Sequence, residues 1–221
     1  MSSKNNKFYS FNKEGAVFTS SKAADSRLTY LPLSGITSEG LKSSITPFLS
    51  GDIKIDKNIF LTKPTSREDL RSPSRNFFVY IDKLGVFSLA QESQPNSAHI
   101  EVGPLWHKLI RKHPKAGIEL EALNFVPVSG QNAELMSITV RNVSKKTIKL
   151  TPTFAMPIFG RALANKHDHE HVTALLHRTK QLSDGVLVEP TMLFNEEGHK
   201  ASQHVYYVLG VSAKGDAPTH A

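Results

Sequence analysis

Three histidines recur at every second position in the segment His167-Asp-His169-Glu-His171. In an extended chain alternate residues share a face, so the three rings would lie side by side, whereas a helix would bring only His167 and His171 together. Imidazoles grouped in this way could bind a transition metal such as zinc. Because there is no cysteine and no clearly spaced fourth ligand, the sequence favours the alternative, in which they hydrogen-bond to backbone, carboxylates or a sugar.

Other catalytic signatures are missing from the sequence. It has no glycine-rich phosphate loop, no Gly-x-Ser-x-Gly elbow and no His-Glu-x-x-His motif. The lack of cysteine removes disulfides, thiolate metal sites and a cysteine nucleophile. Carboxylates such as Asp25, Asp52, Glu101 and Glu189 are scattered, and none forms a pair suited to act as acid and base on a glycosidic bond. The chain is therefore not expected to be catalytic by itself.

Trp106 and two arginines are further candidates for ligand binding. Trp106, the only tryptophan, could offer its ring to the apolar face of a sugar, although a place in the core is the more common role of a large aromatic residue. Arg71 and Arg75 stand at the end of a polar loop that contains prolines and could grip a phosphate or a carboxylate. Most surface arginines are simply solvated, which is the alternative for this pair.

The elements that position these side chains are predicted to be β-strands. The clearest pattern is a hairpin, with apolar runs at 77–81 and 86–89 around a turn that ends in Gly85. Alternation of apolar and polar residues predicts strands at 99–102, 105–110 and 118–126 and a second hairpin that joins 134–142 to 147–154. Shorter strands are predicted at 29–33, 44–49, 58–62, 185–188 and 203–211.

Many short strands with almost no helix predict an all-β fold, namely a large antiparallel β-sandwich. Residues 1–15 are predicted to be a flexible N-terminus, residues 16–212 the β-sandwich domain, and residues 213–221 a tail or linker.

Composition and charge argue against two classes of protein, those that bind nucleic acid and those that span a membrane. The formal net charge is +7, but the basic residues are spread along the chain without a recognisable nucleic-acid module, so a solvated basic surface is expected and no nucleic-acid partner. No run approaches the roughly 20 apolar residues of a membrane helix. The polar N-terminus lacks the apolar region of a secretory signal. We therefore expect a cytoplasmic protein that does not bind a membrane.

One stretch carries a family resemblance. Pro157-Ile-Phe-Gly-Arg-Ala162, followed by Asp168-His-Glu-His-Val-Thr-Ala-Leu-Leu-His-Arg178, resembles the end of the N-terminal domain of the cellobiose-phosphorylase-like enzymes, glycoside hydrolase family 94. The similarity is greatest to the 1,2-β-oligoglucan phosphorylases. Weaker blocks occur in the same order at 30–33, 45–54, 75–78, 105–108 and 124–127.

The resemblance implies a fold and a function. The corresponding domain is a galactose-mutarotase-like super-sandwich that precedes a catalytic (α/α)-barrel, which holds the general acid and the phosphate site. The chain would then be a non-catalytic part of an inverting β-glucan phosphorylase, a glycosyltransferase that uses inorganic phosphate as co-substrate and no other cofactor. Its implied partners are a β-glucan oligosaccharide, its own barrel and a second copy in a homodimer.

The resemblance also implies site residues, which would contact substrate or the partner subunit. One departure is Glu170, which stands where the family pattern has arginine and reverses the charge at that position. The alternative function is a stand-alone carbohydrate-binding or metal-binding β-sandwich that uses Trp106 or the histidine segment. The site residues that the family resemblance implies are Arg161, Asp168, His169, His171, Thr173 and Arg178.

Overall fold

The computed structural model describes residues 9–21, 31–34, 40–90, 98–167, 175–195 and 198–218. Strands dominate these ranges, and helical structure in them is limited to short segments such as the 3-10 turns Glu68–Arg71 and Leu163–Asn165. The predicted all-β, antiparallel fold is confirmed. The chain divides into two compact units, the first formed by Met1–Gly51 and Thr65–Ala155, the second by Asp52–Pro64 and Met156–Ala221.

A six-stranded antiparallel sheet forms much of the first unit. Its central strands alternate buried and partly exposed residues, because side chains of successive strand residues point to opposite faces. In spatial order the strands are β1 (Tyr9–Phe11), β2 (Phe18–Ser20), β9 (Ala98–Gly103), β10 (Trp106–His113), β11 (Ile118–Phe125) and β12 (Leu135–Asn142).

The first unit contains a second sheet of three strands and a hairpin. The sheet has the order β13 (Leu150–Ala155), β7 (Asn76–Ile81), β8 (Gly85–Ser88), and the hairpin pairs β3 (Leu31–Ser34) with β4 (Lys42–Ile45). The predicted hairpin at 77–81 and 86–89 is confirmed by the pairing of β7 with β8. Its turn includes Lys83 and Gly85 at positive φ angles of 62° and 92°, where glycine is favoured.

The inner faces of the two sheets form the core of the first unit. Leu109 and Leu120 from the large sheet and Val79 from the small one are fully buried, and burial of each such side chain contributes about 1.5–3 kcal/mol. Two further contacts connect the large sheet with the region of β8. Arg111 Nε donates to the carbonyl oxygen of Leu89, the residue after β8, at 2.6 Å, and the rings of Phe87 and His113 lie 5.2 Å apart. This unit is therefore a β-sandwich.

The second predicted hairpin, 134–142 with 147–154, is wrong. Both strands exist, but β12 pairs with β11 and β13 pairs with β7, so they belong to different sheets. Asn142, the last residue of β12, closes a polar turn, accepting a hydrogen bond from Ser144 N at 2.9 Å and donating to Lys146 O at 2.7 Å. The chain thus crosses from one sheet to the other after this turn, which is the connection typical of a sandwich rather than of a hairpin.

The second unit contains shorter sheets. A three-stranded antiparallel sheet has the order β14 (His177–Gln181), β15 (Gly185–Pro190), β18 (Tyr206–Leu209). Two hairpins pair β5 (Ile53–Asp56) with β6 (Ile59–Phe60) and β16 (Met192–Asn195) with β17 (Gly198–Ala201).

The predicted domain boundaries at residues 15 and 212 stay predictions. Strand β1 lies within residues 1–15, the segment predicted to be a flexible N-terminus. Within the described ranges no helix is long and apolar enough to cross a membrane.

Candidate functional site

The segment that carries the family resemblance is anchored to β6 in the second unit. Phe60 N donates to Arg161 O at 2.9 Å and Arg161 N donates to Phe60 O at 3.3 Å, while Phe159 N donates to Leu61 O at 2.7 Å. Arg161 is only 4% exposed, and its guanidinium lies 5.6 Å from the centre of the Phe159 ring. Arg161 is thus held inside the unit and not at its surface.

His177, the first residue of β14, lies next to this anchor. The Nε2 atom of His177 is buried without a hydrogen-bond partner among the described residues. A Cβ atom added at Gly160, whose φ is +62°, would lie 3.1 Å from that nitrogen. Burial, and then the positive charge of Arg161, lower the pKa of His177 below its usual value. The ring is therefore mainly neutral at pH 7.

The structure brings together Arg161 and His177. Only Arg161 was predicted from the sequence as a site residue. His177 was missed as a site residue, although it lies inside the resembling segment. Asn165 and Lys166, 4% and 7% exposed, were also missed, because their neighbours in the sequence give no sign of burial. Arg178 is exposed, and in strand β14 it is the next residue after His177 and points to the opposite face.

The histidine segment lies largely outside the described residues. Of its members only His167 is described, and its side chain is exposed. The part of the chain that the structure describes contains no group of three His, Cys, Asp or Glu side chains that could hold a metal ion. The metal interpretation stays a prediction that concerns residues beyond the described ranges. The predicted site residues that lie outside the described ranges are Asp168, His169, His171 and Thr173, and the departure from the family pattern at Glu170 lies there too.

Trp106 lines an open pocket of about 430 Å³ in the first unit. The residue begins β10 and points to the outer face of the six-stranded sheet, because His107 and Leu109 take the inner face. It is half-buried and does not join the core. The pocket walls are mostly apolar, with one cationic side chain: Leu105, Leu123, Phe125, Val126, Val128 and Lys108.

Gly103 shapes this pocket. It is the direct cross-strand partner of Trp106, and a Cβ atom at this position would overlap the indole ring. Only glycine therefore allows the ring to lie against the backbone of β9. Leu105, in the turn between these two residues, has a positive φ of 61°, a conformation that costs a non-glycine residue roughly 1–2 kcal/mol.

A polar row continues from Trp106 on the same outer face. Lys108 Nζ lies 5.8 Å from the centre of the Trp106 ring and 3.1 Å from Glu101 Oε2. His99 Nε2 lies 3.5 Å from the other oxygen of Glu101. Burial alone would raise the pKa of Glu101, but the hydrogen bonds and charges of Lys108 and His99 outweigh it and lower the pKa. Glu101 is accordingly a carboxylate at neutral pH.

Arg71 and Arg75, the candidate anion-binding residues, do not lie together at the surface. Arg75 is completely buried and forms an ion pair with Glu134, with 2.7 Å between Nε and Oε1 and 3.0 Å between Nη2 and Oε2. Arg71 is exposed, with its guanidinium 5.7 Å from the Phe48 ring. Because Glu134 neutralises Arg75, the pair offers no joint site for a phosphate.

No protein-family model and no curated protein matches the chain.

Proposed function

We propose that the chain is the non-catalytic N-terminal β-sandwich domain of an inverting β-glucan phosphorylase, one that acts on β-1,2-linked oligoglucans. The observation that carries this proposal is the run of ordered sequence blocks that ends in residues 157–178. The all-β architecture is the one that such a domain requires.

In this proposal the segment after Arg161 serves assembly and completes the substrate site. Buried Arg161 and half-buried His177 hold the two ends of a stretch rich in imidazole and charge. Asp168, His169, His171 and Thr173 lie between those ends in the sequence and would contact the sugar or the second subunit of a homodimer. Exposed Arg178 would be available for the same contact.

The chemistry of phosphorolysis would lie in the catalytic barrel. That reaction needs a positioned general acid and a cationic clamp for inorganic phosphate. Several carboxylates of the described chain are instead engaged in ion pairs: Glu134 with Arg75, Glu101 with Lys108, and Glu119 and Glu121 with Arg141. The domain would bind sugar and its own barrel in the cytoplasm, with inorganic phosphate as the co-substrate of the whole enzyme.

A domain exchange tests this proposal. The first domain of a 1,2-β-oligoglucan phosphorylase is replaced by this chain, and release of glucose 1-phosphate from a short β-1,2-glucan is measured together with the oligomeric state. We expect a dimeric, active chimera, whereas the enzyme without any first domain and the 221-residue chain alone are both inactive. Turnover by the isolated chain, or a folded chimera that is monomeric and inactive, would overturn the proposal.

A further inference from the structure

We propose that the Trp106 pocket is a carbohydrate-binding site, in which one pyranose ring of a glucan packs on the aromatic wall. Lys108, which lines the pocket, and its ion-pair partner Glu101, which lies beside the pocket and does not line it, bind the hydroxyl groups of the sugar. The site lies wholly in the first unit and uses none of the residues of the 157–178 segment.

The apolar part of the pocket suits one face of a sugar ring. Trp106 and Phe125 are direct cross-strand partners, which places their side chains next to each other on the outer face of the sheet. Val128, 65% exposed, leaves the rim of the pocket open to solvent. Aromatic and aliphatic walls of this kind match the C–H face of a β-linked pyranose, which is apolar.

The polar row supplies the directional contacts that a sugar needs. Lys108 offers N–H donors and Glu101 offers acceptor oxygens, and their side chains remain 26% and 30% exposed. A donor and an acceptor 3.1 Å apart can both bind neighbouring hydroxyls, because each hydroxyl is at once a donor and an acceptor.

The volume and the charge of the pocket fit a small, neutral ligand. A pocket of about 430 Å³ falls in the range of small-molecule sites, roughly 300–1,000 Å³. The positive charge of Lys108 is offset by Glu101, so an anionic ligand gains little net attraction. A neutral molecule with an apolar face and a hydroxylated edge is the best match to an aromatic wall beside a neutralised polar pair.

The choice of a β-glucan as ligand rests on the proposed function, whereas the site itself rests on the pocket. Because Trp106 is the only tryptophan, the intrinsic fluorescence of the full chain reports directly on this pocket. Short β-1,2-linked and β-1,4-linked gluco-oligosaccharides are titrated separately, with emission and heat of binding as readouts. We expect a saturable change with at least one of them, and the chimera assay is independent of this result.

Two variants and a control test the location. Trp106→Ala removes the aromatic wall, and Val128→Glu places a charge at the exposed rim, where it leaves the core intact. Both are expected to weaken binding about tenfold or more, and Tyr80→Ala, which removes a 47% exposed aromatic ring from the other sheet, is expected to leave it unchanged. The proposal is overturned if neither sugar binds below about 10 mM, or if a folded Val128→Glu variant binds as tightly as the unmodified chain.

Discussion

Arg75 and Glu134 form an ion pair in the interior of the first unit, with side-chain exposures of 0% and 5% and an Nε–Oε1 distance of 2.7 Å. Neighbouring polar groups complete its hydrogen bonding. Arg75 Nη2 also donates to Ser44 O at 2.7 Å, Asn124 Nδ2 donates to Glu134 Oε1 at 3.2 Å, and the Ser43 hydroxyl donates to Glu134 Oε2. The pair connects the start of the small sheet with the segment before β12.

Glu134→Ala should destabilise the first unit strongly. It leaves the guanidinium of Arg75 buried without its counter-charge, a change that costs about 3–5 kcal/mol. The measurement is the free energy of unfolding from urea denaturation. The control is Glu119→Ala, since Glu119 pairs with an arginine, Arg141, that is 50% exposed, and such pairs contribute about 0–1 kcal/mol. Equal effects of the two substitutions would show that Arg75 is stabilised by its other hydrogen bonds.

His107 should make the folded chain sensitive to acid. It is completely buried, both ring nitrogens lack partners among the described residues, and burial, followed by the charge of Arg75, lowers its pKa to about 3. Between pH 6.5 and 3 the unfolded chain therefore binds a proton that the folded chain does not, so stability falls as the pH falls. From pH 6.5 to 4 the loss is about 3 kcal/mol.

The test compares the pH dependence of urea midpoints for the unmodified chain and for His107→Gln. We expect the variant to have a flatter profile between pH 4 and 6.5, whatever its stability at pH 7. Burial and the charge of Arg111 lower the pKa of His113 to about 4. His113 therefore also makes stability fall with falling pH, and this smaller pH dependence remains in His107→Gln. His204→Gln, at an exposed position, is the control. Parallel profiles for His107→Gln and the unmodified chain would contradict the assignment.

The strands and their faces could largely be predicted from the sequence, but apart from the β7–β8 hairpin their partners could not. Alternation fixes which residues of β10 and β11 face inward, since it is a local property. The pairing of β13 with β7 joins Leu150 to Ile81, and no local pattern encodes it. The sequence placed Arg75 at the surface for the same reason. Its neighbours in the sequence are polar, and its partner Glu134 lies 59 positions away.

The candidate site was predicted in part. Trp106 was identified, but alternation alone could not decide between core and surface, because that depends on which face of β10 meets the small sheet. Arg161 was singled out through the resemblance, and the burial of its side chain beside Phe159 was not expected. His177 gives no separate signal in the sequence, since its proximity to Gly160 arises only when β14 packs beside the anchored segment.

Gly103→Ala should displace the indole of Trp106, because the added methyl group would overlap the ring. We expect a red-shifted tryptophan emission and faster quenching by acrylamide as the ring moves into solvent. Gly210→Ala, where a Cβ meets nothing within 4 Å, is the matched control and should leave the spectrum unchanged. An unaltered emission spectrum in a folded Gly103→Ala variant would mean that the ring packs elsewhere.

Gly160→Ala should loosen the anchored segment of the second unit. The residue has a φ of +62°, and a Cβ would lie 3.1 Å from both His177 Nε2 and Pro190 Cγ. The backbone strain alone costs roughly 1–2 kcal/mol. Hydrogen exchange of the Phe60 amide, which donates to Arg161 O, should accelerate about tenfold, whereas Gly210→Ala should not affect it. Unchanged protection of Phe60 would show that the segment tolerates a side chain at this position.

Removing the charge of Arg161 should raise the pKa of His177. Burial is the larger cause of its lowered pKa and the Arg161 guanidinium the second, so Arg161→Met is expected to return the pKa only part of the way towards 6.5, because burial remains. The measurement is an NMR titration of the His177 imidazole, assigned with His177→Gln. Arg178→Met removes an exposed charge from the adjacent residue and should have a much smaller effect, since solvent screens it. If the two arginine substitutions shift the His177 pKa equally, the buried guanidinium does not lie close enough to set the charge state of the ring.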